Sequence, residues 1–311
     1  MLTSPPSTHQ RIGRLAPSPT GALHVGNIRT FMIAWLQMRS CGGKLLLRIE
    51  DLDHPKHKVG ADEAIMEELR WLGFDWDGEV LWQSQRQALY EAAFEKLRPQ
   101  LYPCTCTRAD IQRAQSAPHP GEILLYPGTC RSRKPPYPTE LLNHPKTAWR
   151  LALTPEMHGT FTDGFTGAFT TPAAQCMGDF VVARGHDIAY ALAVVVDDAA
   201  TGVTDIVRGD DILAATPAQV ILYQLLGLPL PRFYHVPLVV GSDGRRLAKR
   251  HGDTRIATYR QQGAQPGEIL TPLARSCGWI GLEERISSLA ELLPRFSLTT
   301  IPPTPFVFHG L

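Results

Sequence analysis

The chain has 311 residues, 43% of them apolar and 20% charged, which suits one large or two modest globular domains and excludes a disordered or fibrous polymer. Its formal net charge is +1, so the overall balance gives no electrostatic argument for a nucleic-acid partner; any RNA affinity has to come from local clusters such as Arg131, Arg133 and Lys134 or residues 245–250. No apolar run approaches the roughly eighteen residues of a membrane span, the longest candidate being residues 188–196, so a cytoplasmic protein is expected.

In chain order, residues 1–10 (MLTSPPSTHQ) are polar and Pro-rich without an apolar core, and read as a disordered start rather than a signal peptide. A strand near Ile12 runs into a turn, GRLAPSPTGALHVGN, and then an amphipathic helical stretch, residues 28–38; backbone amides of such a strand, loop and helix start can cradle a polyphosphate. Residues 45–49 form a second strand, residues 62–72 a helix with an acidic first turn and apolar Ile65, Leu69 and Leu72, and residues 89–97 another helix. Asp51 and Asp53 suit helix N-caps. Residues 102–138 turn rich in Pro, Arg and Cys and read as an insertion. Strands are expected at 149–153, 161–169, 180–184 and 189–196, after which DDAATGVTDIVRG supplies a turn and a further strand. Residues 217–226 are a helix stopped by Gly227 and Pro229. A hairpin signal at 236–240 with Ser-Asp-Gly leads into the cationic RRLAKR at 245–250, and residues 266–295 are mostly helical before the tail TTIPPTP. Two phosphate-contacting elements so far apart in sequence suggest one nucleotide site closed by a mobile loop.

The segments HVGN (24–27) and RLAKR (246–250) lie where the class I aminoacyl-tRNA synthetases carry their HIGH and KMSKS signatures. RLAPSPTGALHVGN, LLLRIEDLD (45–53) and DIVRGDDIL (205–213) make the chain similar to the glutamyl group over residues 11–280. Asn27 stands for the second His, Ala248 for the usual serine and Arg250 for the final polar position. Only 61 residues follow Arg250, where complete glutamyl synthetases add a long helical anticodon-binding region. On that ground the chain resembles the glutamyl-Q tRNA(Asp) synthetases. This resemblance implies an α/β, Rossmann-type parallel-sheet catalytic domain in two halves (11–101 and 139–227, the second with an acceptor-type insertion), a zinc-binding insertion (102–138), and a KMSKS-like loop with a truncated helical piece (228–311).

Amino-acid activation by ATP with Mg²⁺ needs positioning and charge neutralisation rather than a protein nucleophile. The resemblance assigns His24 and Lys249 the catalytic phosphate contacts, with Gly21, Gly26 and Asn27 beside ATP. Taken singly, His24 reads as a helix-start histidine and Lys249 as a solvent lysine. A glutamate substrate, with two carboxylates and one ammonium, calls for two arginines and an acid: Arg14, Arg208 and Glu50. Tyr190, Ala16 and Ser18 complete the pocket by similarity. The plainer alternatives are an Arg14–Glu50 structural ion pair and Tyr190 as a core aromatic.

Six cysteines, three isolated (Cys41, Cys176, Cys277) and three clustered (Cys104, Cys106, Cys130), fit a reducing compartment with one metal site. A tetrahedral structural Zn²⁺ needs a fourth ligand. Ligand chemistry favours His119, whereas the resemblance favours Tyr126, four residues before Cys130. The implied activity is tRNA-independent formation of glutamyl-adenylate, followed by transfer of glutamate to queuosine at the wobble position of tRNA(Asp). A minimal glutamyl-tRNA synthetase charging tRNA(Glu), and an inactive RNA-binding paralogue, are the alternatives. Nothing suggests an obligate dimer, so a monomer is expected.

Overall fold

The computed structural model describes residues 10–19, 21–52, 60–114, 125–142, 144–170, 177–245, 247 and 253–311. Strand β1 (Ile12–Leu15) pairs in parallel with β2 (Lys44–Ile49), and β2 with β3 (Leu81–Trp82), with helices α1 (Val25–Arg39) and α2 (Ala61–Trp71) as crossovers. On the other side of β1 lies β10 (Asp205–Gly209), joined to it through the Thr204 N–H, which donates to Ile12 O at 2.8 Å; β10 pairs in parallel with β11 (Arg232–Val236). The spatial order is therefore β3, β2, β1, β10, β11, with the chain turning outward in both directions from β1 and β10. In a parallel α/β sheet a crevice opens at the carboxyl ends of the strands where the order reverses. The Rossmann-type expectation holds at this level.

Alternation along the strands divides the interior. Ile206 and Phe233 face a core containing Trp149, Leu151, Leu192 and Tyr223, whereas Val207 and Val236 face another containing Leu15, Ile28, Met32 and Leu47. Helix α1 is buried over nearly its whole length, from Ile28 to Met38, so the amphipathic reading of residues 28–38 is corrected: this helix has no broad solvent face. A second sheet, wholly antiparallel, contains β4 (Leu101–Cys104), β5 (Ala148–Leu151), β8 (Val181–Arg184) and β9 (Asp187–Ile188).

Three further expectations fail for physical reasons. Residues 189–196 are not a strand but most of helix α6 (Tyr190–Ala200), buried from Leu192 to Asp198; a short apolar run with Val194, Val195 and Val196 does not distinguish a buried helix from a buried strand. Residues 161–169 are not one strand but a hairpin, β6 (Phe161–Asp163) and β7 (Gly167–Phe169), because Asp163 Oδ1 accepts the amides of Phe165 and Thr166, each at 2.9 Å, and folds the chain back. Residues 236–240 form no hairpin arm, since β11 ends at Val236 and β12 (Val239–Val240) pairs in parallel with β13 (Phe306–Val307); the expected turn follows, with Gly241 N–H donating to Arg245 O at 2.9 Å. Helix α7 (Thr216–Leu226) stops as expected at Gly227, whose φ of 65° is left-handed. Short helices, among them α9 (Pro266–Ser276) after α8 (Ile256–Gln261), pack the C-terminal part against α1.

One core-facing acid on α2 makes stability depend on pH. Glu68 is buried, its Oε2 has no hydrogen-bond partner, and burial pushes its carboxyl up to about 7, although Arg260 draws it down. The folded chain thus keeps a proton that the unfolded chain releases, so this contribution is fully present below the unfolded value of about 4.3 and is lost as pH rises through about 7. Melting temperatures measured from pH 5 to pH 8 should fall more steeply for the wild type than for Glu68→Gln; parallel profiles would refute the assignment.

Candidate active site

The crevice at the switch between β1 and β10 is a cavity of about 580 Å³. Its lining includes Arg14, Ala16, Ser18, Gly21, His24, Gly26, Asn27, Glu50, Tyr190 and Arg208, so every described residue expected to meet glutamate or ATP is brought to one place. Lys249, Ala248, Arg250 and Asp53 lie outside the described residues.

At the phosphate-loop end, His24 is the N-cap of α1. Its Nδ1 accepts the Gly26 and Asn27 amides at 3.1 and 3.4 Å, while Asn27 Oδ1 accepts the His24 amide at 3.1 Å. Because Nδ1 accepts, the neutral ring carries its proton on Nε2. Asn27, standing for a histidine, thereby closes a capping box; the first-turn amides are taken up by His24 and Thr254, and the aligned peptide dipoles give that end a partial positive charge. Gly26 is required by its neighbour, since a Cβ there would sit 2.9 Å from His24 Cε1. The segment after the lysine-bearing stretch is tied to the same loop: Val25 N–H donates to Thr254 O at 3.2 Å and Ile256 N–H to Leu23 O at 2.9 Å.

At the other end, the charged groups form a buried network that sequence reasoning missed. Arg48, 1% exposed, donates to Asp198 Oδ1 at 2.5 Å and Glu50 Oε1 at 3.1 Å, with Asp197 Oδ2 at 3.8 Å. Arg14 pairs with Asp198 at 3.5 Å and donates to Val207 O at 3.1 Å, so Arg14 and Glu50 use different ion partners and the simple pair between them is not the arrangement found. Asp197 also accepts from Gln83, Arg86 and Tyr90 at 2.6–3.0 Å. Burial pushes the Glu50 carboxyl up and the Arg48 and Arg14 guanidinium groups oppose it. Burial also works against the Arg48 charge, but Asp198, Glu50 and Asp197 together raise its pKa. Tyr190 is 46% exposed and stands at the cavity wall, so its alternative reading as a core aromatic is corrected. Asp51 does not cap α2, whose N-cap is Gly60; its carboxylate instead accepts Ser84 N and Oγ at 2.9 and 2.5 Å. The missed acids had a sequence signal: an Asp pair ending an apolar run, and a lone arginine within the apolar strand LLLRI.

Arg208 differs from the other arginines. It is 5% exposed, forms no ion pair with a described carboxylate, and burial lowers its pKa. Its hydrogen bonds go to His235 Nε2 at 2.9 Å and Thr216 Oγ1 at 2.7 Å. A desolvated cation on a cavity wall without an acid beside it is suited to an anionic ligand.

A second cluster lies at the end of β4. The Sγ atoms of Cys104, Cys106 and Cys130 lie within 4.8 Å of one another, and Tyr126 Oη is 3.4 Å from Cys104 Sγ and 3.8 Å from Cys106 Sγ. Cys106 and Cys130 Sγ are 3.6 Å apart. Four donors about 2.0–2.3 Å from a tetrahedral ion have mutual separations near 3.3–3.8 Å, so the set fits a closed Zn²⁺ site. Burial pushes Cys106 up to about 11; it acts the same way on Cys130, but hydrogen bonds from Tyr126 Oη and the Thr105 amide hold that thiol down to about 7. His119, the other fourth ligand considered, lies outside the described residues.

Residues 12–300 match the family described as tRNA synthetases class I (E and Q), catalytic domain. The chain is 46% identical over 280 residues to the glutamyl-Q tRNA(Asp) synthetase of Rhodopirellula baltica, covering 85% of this chain and 84% of the relative. It is 44% identical over 308 residues to the protein of that name from Symbiobacterium thermophilum, covering 94% of each. Among solved structures it resembles a glutamate tRNA ligase from Elizabethkingia meningosepticum in complex with its amino acid, with a TM-score of 0.81 at 25% identity over 96% of this chain and 67% of that one.

The Arg48 network carries a stability prediction. Arg48→Met should cost about 3–5 kcal/mol in denaturant unfolding, because it leaves Asp198 and Glu50 buried without their shared cation. A cost below about 1 kcal/mol would show that water already compensates these carboxylates.

Proposed function

Because the chain belongs to the class I tRNA synthetases of the E and Q group, and within it to the ligases named glutamyl-Q tRNA(Asp) synthetase, we propose that it activates glutamate with ATP and Mg²⁺ without tRNA and transfers it to queuosine at the wobble position of tRNA(Asp). The observation that carries the first step is the convergence of Arg14, Glu50, Tyr190 and Arg208 on one cavity whose far end is the α1 N-terminus. Around Arg48, the cations Arg14, Arg48 and Arg86 face Glu50, Asp197 and Asp198 in equal number, which leaves Arg208 without a direct ion partner among the described residues. Glutamate carries one more negative than positive charge and supplies what Arg208 lacks, whereas glutamine is neutral overall. Glu50 takes the ammonium group, and Arg14 and Tyr190 flank the ligand. A carboxylate oxygen then attacks the α-phosphorus in line, forming the acyl–phosphate bond as the bond to the β-phosphate oxygen breaks. Negative charge gathers on the departing pyrophosphate, where His24 Nε2–H, the positive end of the α1 dipole and Lys249 neutralise it. No residue of the amino-acid pocket reads the acceptor; the queuosine step and the cytoplasmic setting rest on the similarity to the glutamyl-Q ligases.

Glutamate-dependent ATP–pyrophosphate exchange should proceed with no RNA present. Arg208→Ala and Lys249→Ala should each lower kcat/KM by about two to three orders of magnitude, the scale of about 2.7–4 kcal/mol for losing one charge-stabilising group. Exchange that requires tRNA(Glu) would favour a minimal charging enzyme, and labelled glutamate appearing on a terminal 3′ ester instead of queuosine would sink the acceptor assignment.

For the cysteine cluster we infer one structural Zn²⁺ held by Cys104, Cys106, Cys130 and Tyr126. Metal analysis should find about one zinc per chain, lost in Cys104→Ala and weakened but retained in Tyr126→Phe. Full retention in Tyr126→Phe with loss in His119→Ala would transfer the fourth position to the histidine.

A further inference from the structure

Arg208 owes its orientation to a chain of buried groups outside the ligand cavity. Its Nε–H donates to His235 Nε2 at 2.9 Å, and its other terminal contact goes to Thr216 Oγ1 at 2.7 Å. A guanidinium can only donate, so His235 Nε2 must be the unprotonated nitrogen and the ring proton must be on Nδ1. That nitrogen lies 2.6 Å from Asp163 Oδ2. Asp163, 2% exposed, also accepts the backbone amides of Phe165, Thr166 and His235, and burial works against its charge while these donors hold its pKa down. His235 is fully buried, with the neighbouring rings of Phe161 and Phe233 each 6.1 Å away, and the Arg208 guanidinium lies over the Phe233 ring at 5.2 Å. Both ring nitrogens are engaged, and only one neutral tautomer satisfies both Arg208 and Asp163.

We propose that Asp163 and His235 form a positioning pair for Arg208: the aspartate fixes the tautomer, the imidazole supplies the acceptor that turns the guanidinium, and the negative charge of Asp163 is kept one ring away. The design matters for binding. A carboxylate in direct contact would neutralise Arg208 and compete with the ligand's own carboxylate. A neutral acceptor instead fixes one edge of the fork and leaves the cation to the ligand. The inference rests on the reading of Arg208 as a carboxylate anchor. Asp163 precedes His235 by 72 positions and sits on a different strand, which is why neither residue stands out in the sequence.

The test uses the full chain labelled with 15N-histidine, together with exchange kinetics. Wild-type His235 should show a protonated Nδ1 and a bare Nε2. Asp163→Asn presents an amide N–H to Nδ1, which moves the ring proton to Nε2 and sets two donors against each other at Arg208. The nitrogen shifts should invert, and KM for glutamate should rise roughly ten- to a hundredfold, the worth of a charge-assisted hydrogen bond. KM for ATP should stay within about twofold of wild type. His235→Gln, which can place a carbonyl oxygen near the Nε2 position, should keep KM for glutamate within a few-fold of wild type. The proposal is overturned if wild-type Nε2 carries the proton, if Asp163→Asn leaves KM for glutamate unchanged, or if KM for both substrates rises together, as general loosening of the fold would produce. A wild-type chain without glutamate-dependent exchange would instead overturn the functional reading, and the nitrogen spectrum, recorded without ligand, would still decide the tautomer.

Discussion

The arrangement depends on one buried cation. Arg48 leaves β2, where its neighbours Leu47 and Ile49 belong to the core around α1, and reaches Asp197 and Asp198 on α6, which belongs to the other core. Three carboxylates out of water would cost several kcal/mol each if unpaired. Arg14, Arg48 and Arg86 remove that cost by making the group neutral as a whole, and they also fix its geometry, because each guanidinium fork accepts only certain directions. Arg48 and Arg14 oppose the burial that pushes the Glu50 carboxyl up. The proposed ammonium site and the seam between the two cores are thus one structure, which explains why a strand so deeply buried carries an arginine.

The phosphate end follows a different logic. It has few charges among the described residues and presents the positive end of the α1 dipole, set by a cap in which His24 and Asn27 satisfy each other's main chains. The replacement of histidine by Asn27 leaves this device intact, since the asparagine carbonyl oxygen accepts the bond that closes the capping box. Hydrogen bonds from Val25 and to Leu23 draw Thr254 and Ile256 against the first loop, so the chain just beyond the lysine-bearing segment is anchored beside the helix start. Residues 23–25 and 254–256, more than 200 positions apart, are held together by backbone pairing rather than by any side chain a motif would record.

That distinction also explains what was legible in advance. Gly26, His24, Arg14, Glu50 and Arg208 could be named because the segments around them resemble glutamyl-synthetase signatures, and the cysteine cluster because CxC with a later cysteine is a ligand pattern. Of the parallel strands, β1, β2 and β10 were legible from short apolar runs, while β3 and β11 were not expected and α6 was misread, since burial on every side erases the periodicity that tells a helix from a strand. Asp163 with His235, and Arg48 with Asp197 and Asp198, escaped notice because their meaning lies in pairings across 72 to 150 positions, which tertiary packing alone creates.

The activation proposed above, which precedes any RNA, imposes a requirement that bears on all of these features. On that reading the pocket has to be charged and oriented before any acceptor arrives, because no later contact supplies the missing groups. Each partner of Arg14, Arg48 and Arg208 comes from β2, β10, β11, α6, α7 or the connections among them, and each is already hydrogen-bonded in the chain alone. Where both partners are charged, the network is balanced; where one cation is left over, a neutral histidine holds it. A pocket built on that plan favours a ligand bearing one excess negative charge over its neutral amide, because the amide would leave Arg208 buried without a counter-charge. Discrimination between the two then follows from the charge left uncompensated by the fold, with no need for a steric filter.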